Sequence, residues 1–313
     1  MPITTSTSTE PVSNRNCIQN FRPASGLNNV YRCAKTDGLG DRLDVADDDL
    51  SEGERLILYQ AGLILDLRSD VERDELKSRN WMSKAPGGSF VVLRDSFSPP
   101  EDLNAPRQRT ILRLDPLSGP QFMKYVDATW LTPTQKLRAA MFKITSGQQL
   151  HNLRIEVLNQ KGLVGLNEAI LETGKQDMLA ALQAMALYLE KNPADPVVIH
   201  CVQGKDRTGL LVMLCQSMLG VSDEEIIADY HRSEGMIEGS AALKKALSTQ
   251  QAGKIDKRIF GGAPREVMQT TLAWLRSKYG SISPGYLDDI GFDSSWRDRL
   301  SVALRPSPSS SRL

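Results

Sequence analysis

Residues 200–209 read His200-Cys201-Val202-Gln203-Gly204-Lys205-Asp206-Arg207-Thr208-Gly209, HCVQGKDRTG, and the residues on either side of them decide the fold. Upstream lies Val197-Val198-Ile199, a β-branched aliphatic run of strand length. Downstream, Gly209 to Gly220 (GLLVMLCQSMLG) is apolar nearly all round, the pattern of a helix in the middle of a domain. A loop between the carboxyl end of a strand and a helix N-terminus aims successive backbone N–H groups at an anion. Gly204 lets the backbone approach that anion closely, and Gly209 allows tight packing of the helix. The stretch therefore reads as a phosphate cradle.

The nucleotide P-loop is the first rival. It needs a glycine five residues before its Gly-Lys and a Ser or Thr directly after it. Here those positions hold Ile199 and Asp206, so the pattern fails. What remains is Cys201 and Arg207 with five residues between them, then Thr208. A cysteine beside Arg, Lys and a ring of N–H donors is expected to be nucleophilic, because such surroundings favour the thiolate. Arg207 can fork onto two phosphate oxygens and hold them through the transition state. The Thr208 hydroxyl can donate to the sulfur when it leaves. Arginine and backbone N–H groups neutralise the developing charge, so neither metal nor other cofactor is expected. Val202, Gln203, Gly204, Lys205, Thr208 and Gly209 are the expected substrate-binding residues.

Similar apolar runs occur at Leu63-Ile64-Leu65-Asp66-Leu67 and Phe90-Val91-Val92-Leu93, with a short strand at Val30-Tyr31-Arg32-Cys33. Continuous runs of this kind suit strands covered on both faces. The expected fold class is α/β: a central, mostly parallel sheet flanked by helices, with a strand–phosphate loop–helix unit. Capping boxes at Ser51-Glu52-Gly53-Glu54 and Ser222-Asp223-Glu224-Glu225 open helices. Met178, Leu182, Met185, Ala186 and Leu189 share one helical face, and further helices are expected at about 264–279 and 294–304. Between about 96 and 166 the pattern is weak, with Pro99, Pro100, Pro106, Pro116, Pro120 and Pro133 ahead of helical Gln135 to Ile144. This is expected to be a mostly irregular or helical insertion over the site. The arginines at 107, 109 and 113 are expected on a solvated face, with a phosphoinositide headgroup as the alternative.

The pattern H-C-x5-R-T-G is the signature of the cysteine-dependent protein tyrosine and dual-specificity phosphatase superfamily, and HCVQGKDRTG resembles its subgroup with Gly-Lys-Asp-Arg-Thr loops. Asn20-Phe21-Arg22, Val30-Tyr31-Arg32, Ile64-Leu65-Asp66-Leu67-Arg68-Ser69 with Glu72, and Tyr279-Gly280 to Gly285-Tyr286-Leu287 resemble landmarks of that subgroup in the same order. The subgroup's early Asn-Phe-Arg-Asp-x-Gly-Gly appears here as Asn20-Phe21-Arg22-Pro23-Ala24-Ser25-Gly26, without the aspartate and the paired glycines.

The resemblance implies a phosphatase domain over residues 20–304; the Ser/Thr-rich composition on either side is expected to give a disordered tail at 1–19 and a flexible one at 305–313. The resemblance also implies a cysteinyl-phosphate intermediate and a general acid inside the cradle, at Asp206. Asp66 and Asp95, near predicted strand ends, are the alternative acids, and Asp66 is also expected to accept hydrogen bonds from the loop or Arg207 without reacting. His200 is expected as a buried hydrogen-bonding group rather than a base. The substrate is expected to be a protein phosphotyrosine or dual-specificity site. A phosphoinositide or inositol phosphate is the alternative, favoured by Lys205 as a second cation, and a catalytically silent phosphate-binding protein is a third reading.

Lys plus Arg and Asp plus Glu number 38 each, so no global field favours nucleic acid or an acidic membrane; any anion site is local. Four scattered cysteines without C-x-x-C spacing read as thiols of a reducing compartment. With no signal peptide and no transmembrane run, the expected location is cytoplasmic, or peroxisomal through Ser311-Arg312-Leu313.

Overall fold

A computed structural model describes residues 17–98, 108–234 and 255–305. The sheet is built from β1 (Arg22–Pro23), β2 (Val30–Cys33), β3 (Leu63–Asp66), β4 (Phe90–Arg94), β5 (Arg109–Arg113) and β6 (Val197–His200). Their order across the sheet is β1-β2-β6-β3-β5-β4, parallel throughout except for β1 against β2. The α/β architecture with a mostly parallel sheet is thus as the sequence implied.

Side-chain alternation divides the core between the sheet's two faces. Leu63, Leu65, Val197 and Ile199 point to one face and Ile64 and Val198 to the other. The helices are α1 (Glu52–Arg55), α2 (Glu75–Lys84), α3 (Gly119–Tyr125), α4 (Pro133–Thr145), α5 (Gly147–Thr173), α6 (Lys175–Lys191) and α7 (Asp206–Met218). Then follow α8 (Asp223–His231), α9 (Lys257–Phe260), α10 (Arg265–Tyr279), α11 (Leu287–Asp289) and α12 (Ser294–Leu304). Helices α6 and α7 cover the first face, and Trp81 and Met82 of α2 help cover the second. Both expected capping boxes form, at Ser51 and Ser222. Every residue from Arg207 to Gln216 of α7 is buried, as its all-round apolar sequence requires.

One expectation is corrected here. The stretch read as an irregular or helical insertion from about 96 contains β5, an interior strand hydrogen-bonded to β3 on one side and β4 on the other. Its sequence RTILR hides it, because both ends are arginines yet all five residues are buried. Arg109 is neither on a solvated face nor offered to a headgroup: it donates to the carbonyls of Ile57, Leu58, Ala61 and Gly88 and lies 4.0 Å over the Phe90 ring. Arg113 pairs with Glu75 at 2.8 Å. Arg107, residues 1–16 and residues 306–313 with Ser311-Arg312-Leu313 lie outside the described residues, whereas Ile18, inside the expected N-terminal tail, is buried in the core and the Cys17 amide donates to Glu54. No helix among the described residues is long and apolar enough to cross a membrane.

Candidate active site

The cradle sits at the carboxyl end of β6, between the two interior neighbours β2 and β3, and runs directly into α7. Its curvature needs Gly204. That residue has φ of 66°, and a Cβ there would lie 2.2 Å from the Cys33 carbonyl oxygen, so only glycine lets the loop pass beneath β2. The loop backbone is held from below by two side chains. Asn20 donates to the carbonyls of Gln203 (2.9 Å) and Gly204 (3.0 Å), and Arg32 donates to that of Gly204 (3.0 Å). Arg32 is itself fixed by Asp229 of α8 at 2.7 Å, with both side chains buried. With these carbonyls turned toward buried donors, their polarity is satisfied away from the anion pocket.

Cys201 is buried at the start of the loop. Arg207, on the first turn of α7, donates to both oxygens of Glu72 (2.6 and 2.8 Å) and to the Leu67 carbonyl (3.0 Å). Burial works against its charge, but Glu72, Cys201 and Asp206 outweigh it and hold the guanidinium more firmly protonated than usual. Glu72 is oriented in turn by a capping box with Ser69. The Thr208 hydroxyl is buried with no hydrogen-bond partner among the described residues. Val202 and Gln203 are half-buried on the outer side of the loop.

Lys205 and the carboxylates depart from simple expectation. The Lys205 ammonium is fully buried and donates to the carbonyls of Phe260 (2.7 Å) and Gly262 (2.6 Å), so it ties the loop to the segment around α9. Asp206 accepts from the Tyr230 hydroxyl (3.4 Å) and lies 3.5 Å from the Lys205 ammonium. Asp66 does not touch Arg207. It is wholly buried and accepts from Arg68 (2.8 and 3.0 Å) and Arg73 (3.1 Å), while Arg68 also grips Asp37. Burial pushes the Asp66 carboxyl up, but His200, Arg68 and Arg73 pull it well below the usual range. His200 lies 3.8 Å away, and burial lowers it to about 4, so it is neutral at pH 7 and the two arginines supply the charge. Asp66 is thus a buried hydrogen-bond acceptor whose partners are Arg68 and Arg73. Asp95 is exposed, in the left-handed region (φ 63°), and its described hydrogen bond is backbone N–H to Arg113 carbonyl.

Two carboxylates near the loop were given no role by the sequence reading. Glu72, which fixes Arg207, was visible only as part of a motif, because its partner is 135 residues away. Asp115, just beyond β5, has one buried carboxylate oxygen without a partner, and its amide donates to Asp177 at 2.9 Å. Burial and the neighbouring Asp177 raise the Asp115 carboxyl, while the field of Arg207 opposes the rise. Asp177 is raised as well, by burial first. Finding Asp115 required finding β5.

A cysteine and an arginine with five residues between them, set on a strand–loop–helix anion cradle, define a phosphate site of the tyrosine-phosphatase kind. Residues 28–305 match the model of the tyrosine phosphatase family, and the chain belongs to that family. It is similar to a tyrosine-protein phosphatase of Nostoc commune, 33% identical over 114 residues, which are 34% of this chain and 38% of that protein. It is also similar to the triple specificity protein phosphatase PtpB of Mycobacterium tuberculosis, 29% identical over 121 residues, 35% of this chain and 44% of that protein. The matched stretch thus spans less than half the length of either relative.

Proposed function

We propose that the protein is a phosphatase that hydrolyses phosphomonoesters through a cysteinyl-phosphate. Supporting this reading above all is Arg207, held in a bidentate grip by Glu72 on the helix that begins where the Cys201 loop ends. The Cys201 sulfur attacks phosphorus, and the bond from phosphorus to the alcohol oxygen breaks. Arg207 and the loop N–H groups carry the charge of the equatorial oxygens. Water then cleaves the S–P bond, with the Thr208 hydroxyl donating to the departing sulfur.

For the proton that the alcohol requires, Asp115 is the better supported donor. Burial predisposes it to hold a proton, and its free oxygen is unoccupied. Asp206, the donor that the loop resemblance implied, is engaged by Tyr230 and Lys205. In the second step Asp115, now a carboxylate, takes the proton of the attacking water.

Protein phosphotyrosine and dual-specificity sites are the proposed substrates, in keeping with the relatives' names. The case for an inositol ring rested on Lys205, whose ammonium is committed to two backbone carbonyls.

Replacing Cys201 by Ser is expected to lower turnover of an aryl phosphate at least about a thousandfold while leaving phosphate binding intact. Retained turnover would rule out the covalent route. Asp115→Asn is expected to slow an alkyl phosphate, a poor leaving group, about a hundredfold and a nitrophenyl phosphate far less. The wild-type rate on the alkyl ester falls as pH rises through the Asp115 pKa, since only the protonated form donates, and the variant loses that limb. If Asp206→Asn alone produces this pattern, the acid is Asp206.

A further inference from the structure

Helix α4 departs from the burial rule on the face away from α5. Of its 13 residues only Ala139 is buried, where the helix packs against α5. Three large apolar residues face outward instead: Leu137 is 75% exposed, Met141 52% and Ile144 90%. Their spacing of four and then three residues places them in one stripe, within about 60° at about 100° per residue. Val302 on α12, by contrast, stands singly and needs no explanation. A continuous stripe does.

The charges on α4 are equally one-sided. Lys136 and Lys143 flank the stripe on one edge and Arg138 flanks it on the other. The sequence carries no Asp or Glu between Asp127 and Glu156, although the chain as a whole is neutral. The Lys136 ammonium donates to the Ala128 carbonyl at 2.7 Å, which leaves its charge uncancelled, and Lys143 lies 3.6 Å from Asp127, a carboxylate already gripped by Arg154, so the excess stays positive. A single helix offers a ridge rather than a groove. It gives no pockets for the side chains of a peptide, but it matches a soft surface that takes apolar residues below its charged layer.

We propose that α4 is a membrane-docking helix that seats Leu137, Met141 and Ile144 in the interfacial layer of an anionic bilayer, with Lys136, Arg138 and Lys143 against the headgroups. This surface is independent of what the Cys201 site hydrolyses. Each basic residue near such a bilayer contributes about fivefold in affinity, so losing all three costs up to about a hundredfold.

The test is co-sedimentation of the full chain with vesicles of phosphatidylcholine alone and of phosphatidylcholine with 30% phosphatidylserine, about the charge density of an anionic leaflet. Binding is expected to the anionic vesicles, at least about tenfold tighter than to the neutral ones, and to weaken with added salt. Both Leu137→Glu/Ile144→Glu and Lys136→Glu/Arg138→Glu/Lys143→Glu should abolish it. Turnover of a soluble aryl phosphate and the helical circular dichroism should stay unchanged, which separates lost docking from lost folding. No binding by the wild-type chain, or equal binding by wild type and both variants, overturns the proposal. So does a wild-type dimer that Leu137→Glu/Ile144→Glu dissolves without any vesicle binding, which would assign the stripe to a second copy of the chain.

Discussion

The cradle and helix α4 invert the same rule in opposite directions. Around the loop, charges that usually face water are inside: Arg32, Asp66, Arg68, Lys205 and Asp229 are all essentially inaccessible. On α4, apolar side chains that usually lie inside face out. The difference is in the partners. Each buried charge near the loop has a counter-charge or a carbonyl within 3.1 Å, the condition under which burial of an ion is tolerated. The stripe on α4 has no such complement among the described residues. The first region is therefore a finished piece of internal structure and the second a surface.

That contrast can be broken by experiment. The largest effect is expected where compensation is removed from the interior. Asp66→Asn leaves the Arg68 and Arg73 guanidiniums buried without the carboxylate between them, and should lower stability by about 3–5 kcal/mol in denaturant unfolding. A change below about 1 kcal/mol would mean that water or Asp37 already satisfies them. Next comes Glu72→Gln, which keeps the shape but removes the charge facing Arg207. A loosened guanidinium should cost about tenfold or more in kcat with little change in unfolding midpoint. A loss of stability without a loss of rate would make Glu72 a structural residue only. The smallest effect is expected on α4, where Leu137→Glu with Ile144→Glu should shift stability by no more than about 0.5 kcal/mol per residue. A larger loss would show that the stripe is packed after all.

The cradle was legible because its chemistry is local: Cys201, Gly204, Arg207 and Thr208 lie within eight residues, and a strand and a helix flank them. Three strands announce themselves as apolar runs for the same reason. Strand β5 does not, because Arg109 and Arg113 hide their charge in carbonyls and a carboxylate contributed by distant segments. Lys205 misled in the complementary way. Its place beside Arg207 suggests a second phosphate ligand, but its partners, Phe260 and Gly262, are more than fifty residues downstream. What local sequence conceals here is always the identity of a distant partner.

Gly204 lies against β2, Lys205 faces α9, Arg207 is clamped by Glu72 and Gly209 abuts Tyr230. Each is pinned by a neighbour that would have to change with it. Of the loop's interior positions, Val202 and Gln203 are the two half-exposed residues without such an obligation. Their side chains can therefore change without a compensating change elsewhere, while those of the rest of the loop stay under lock.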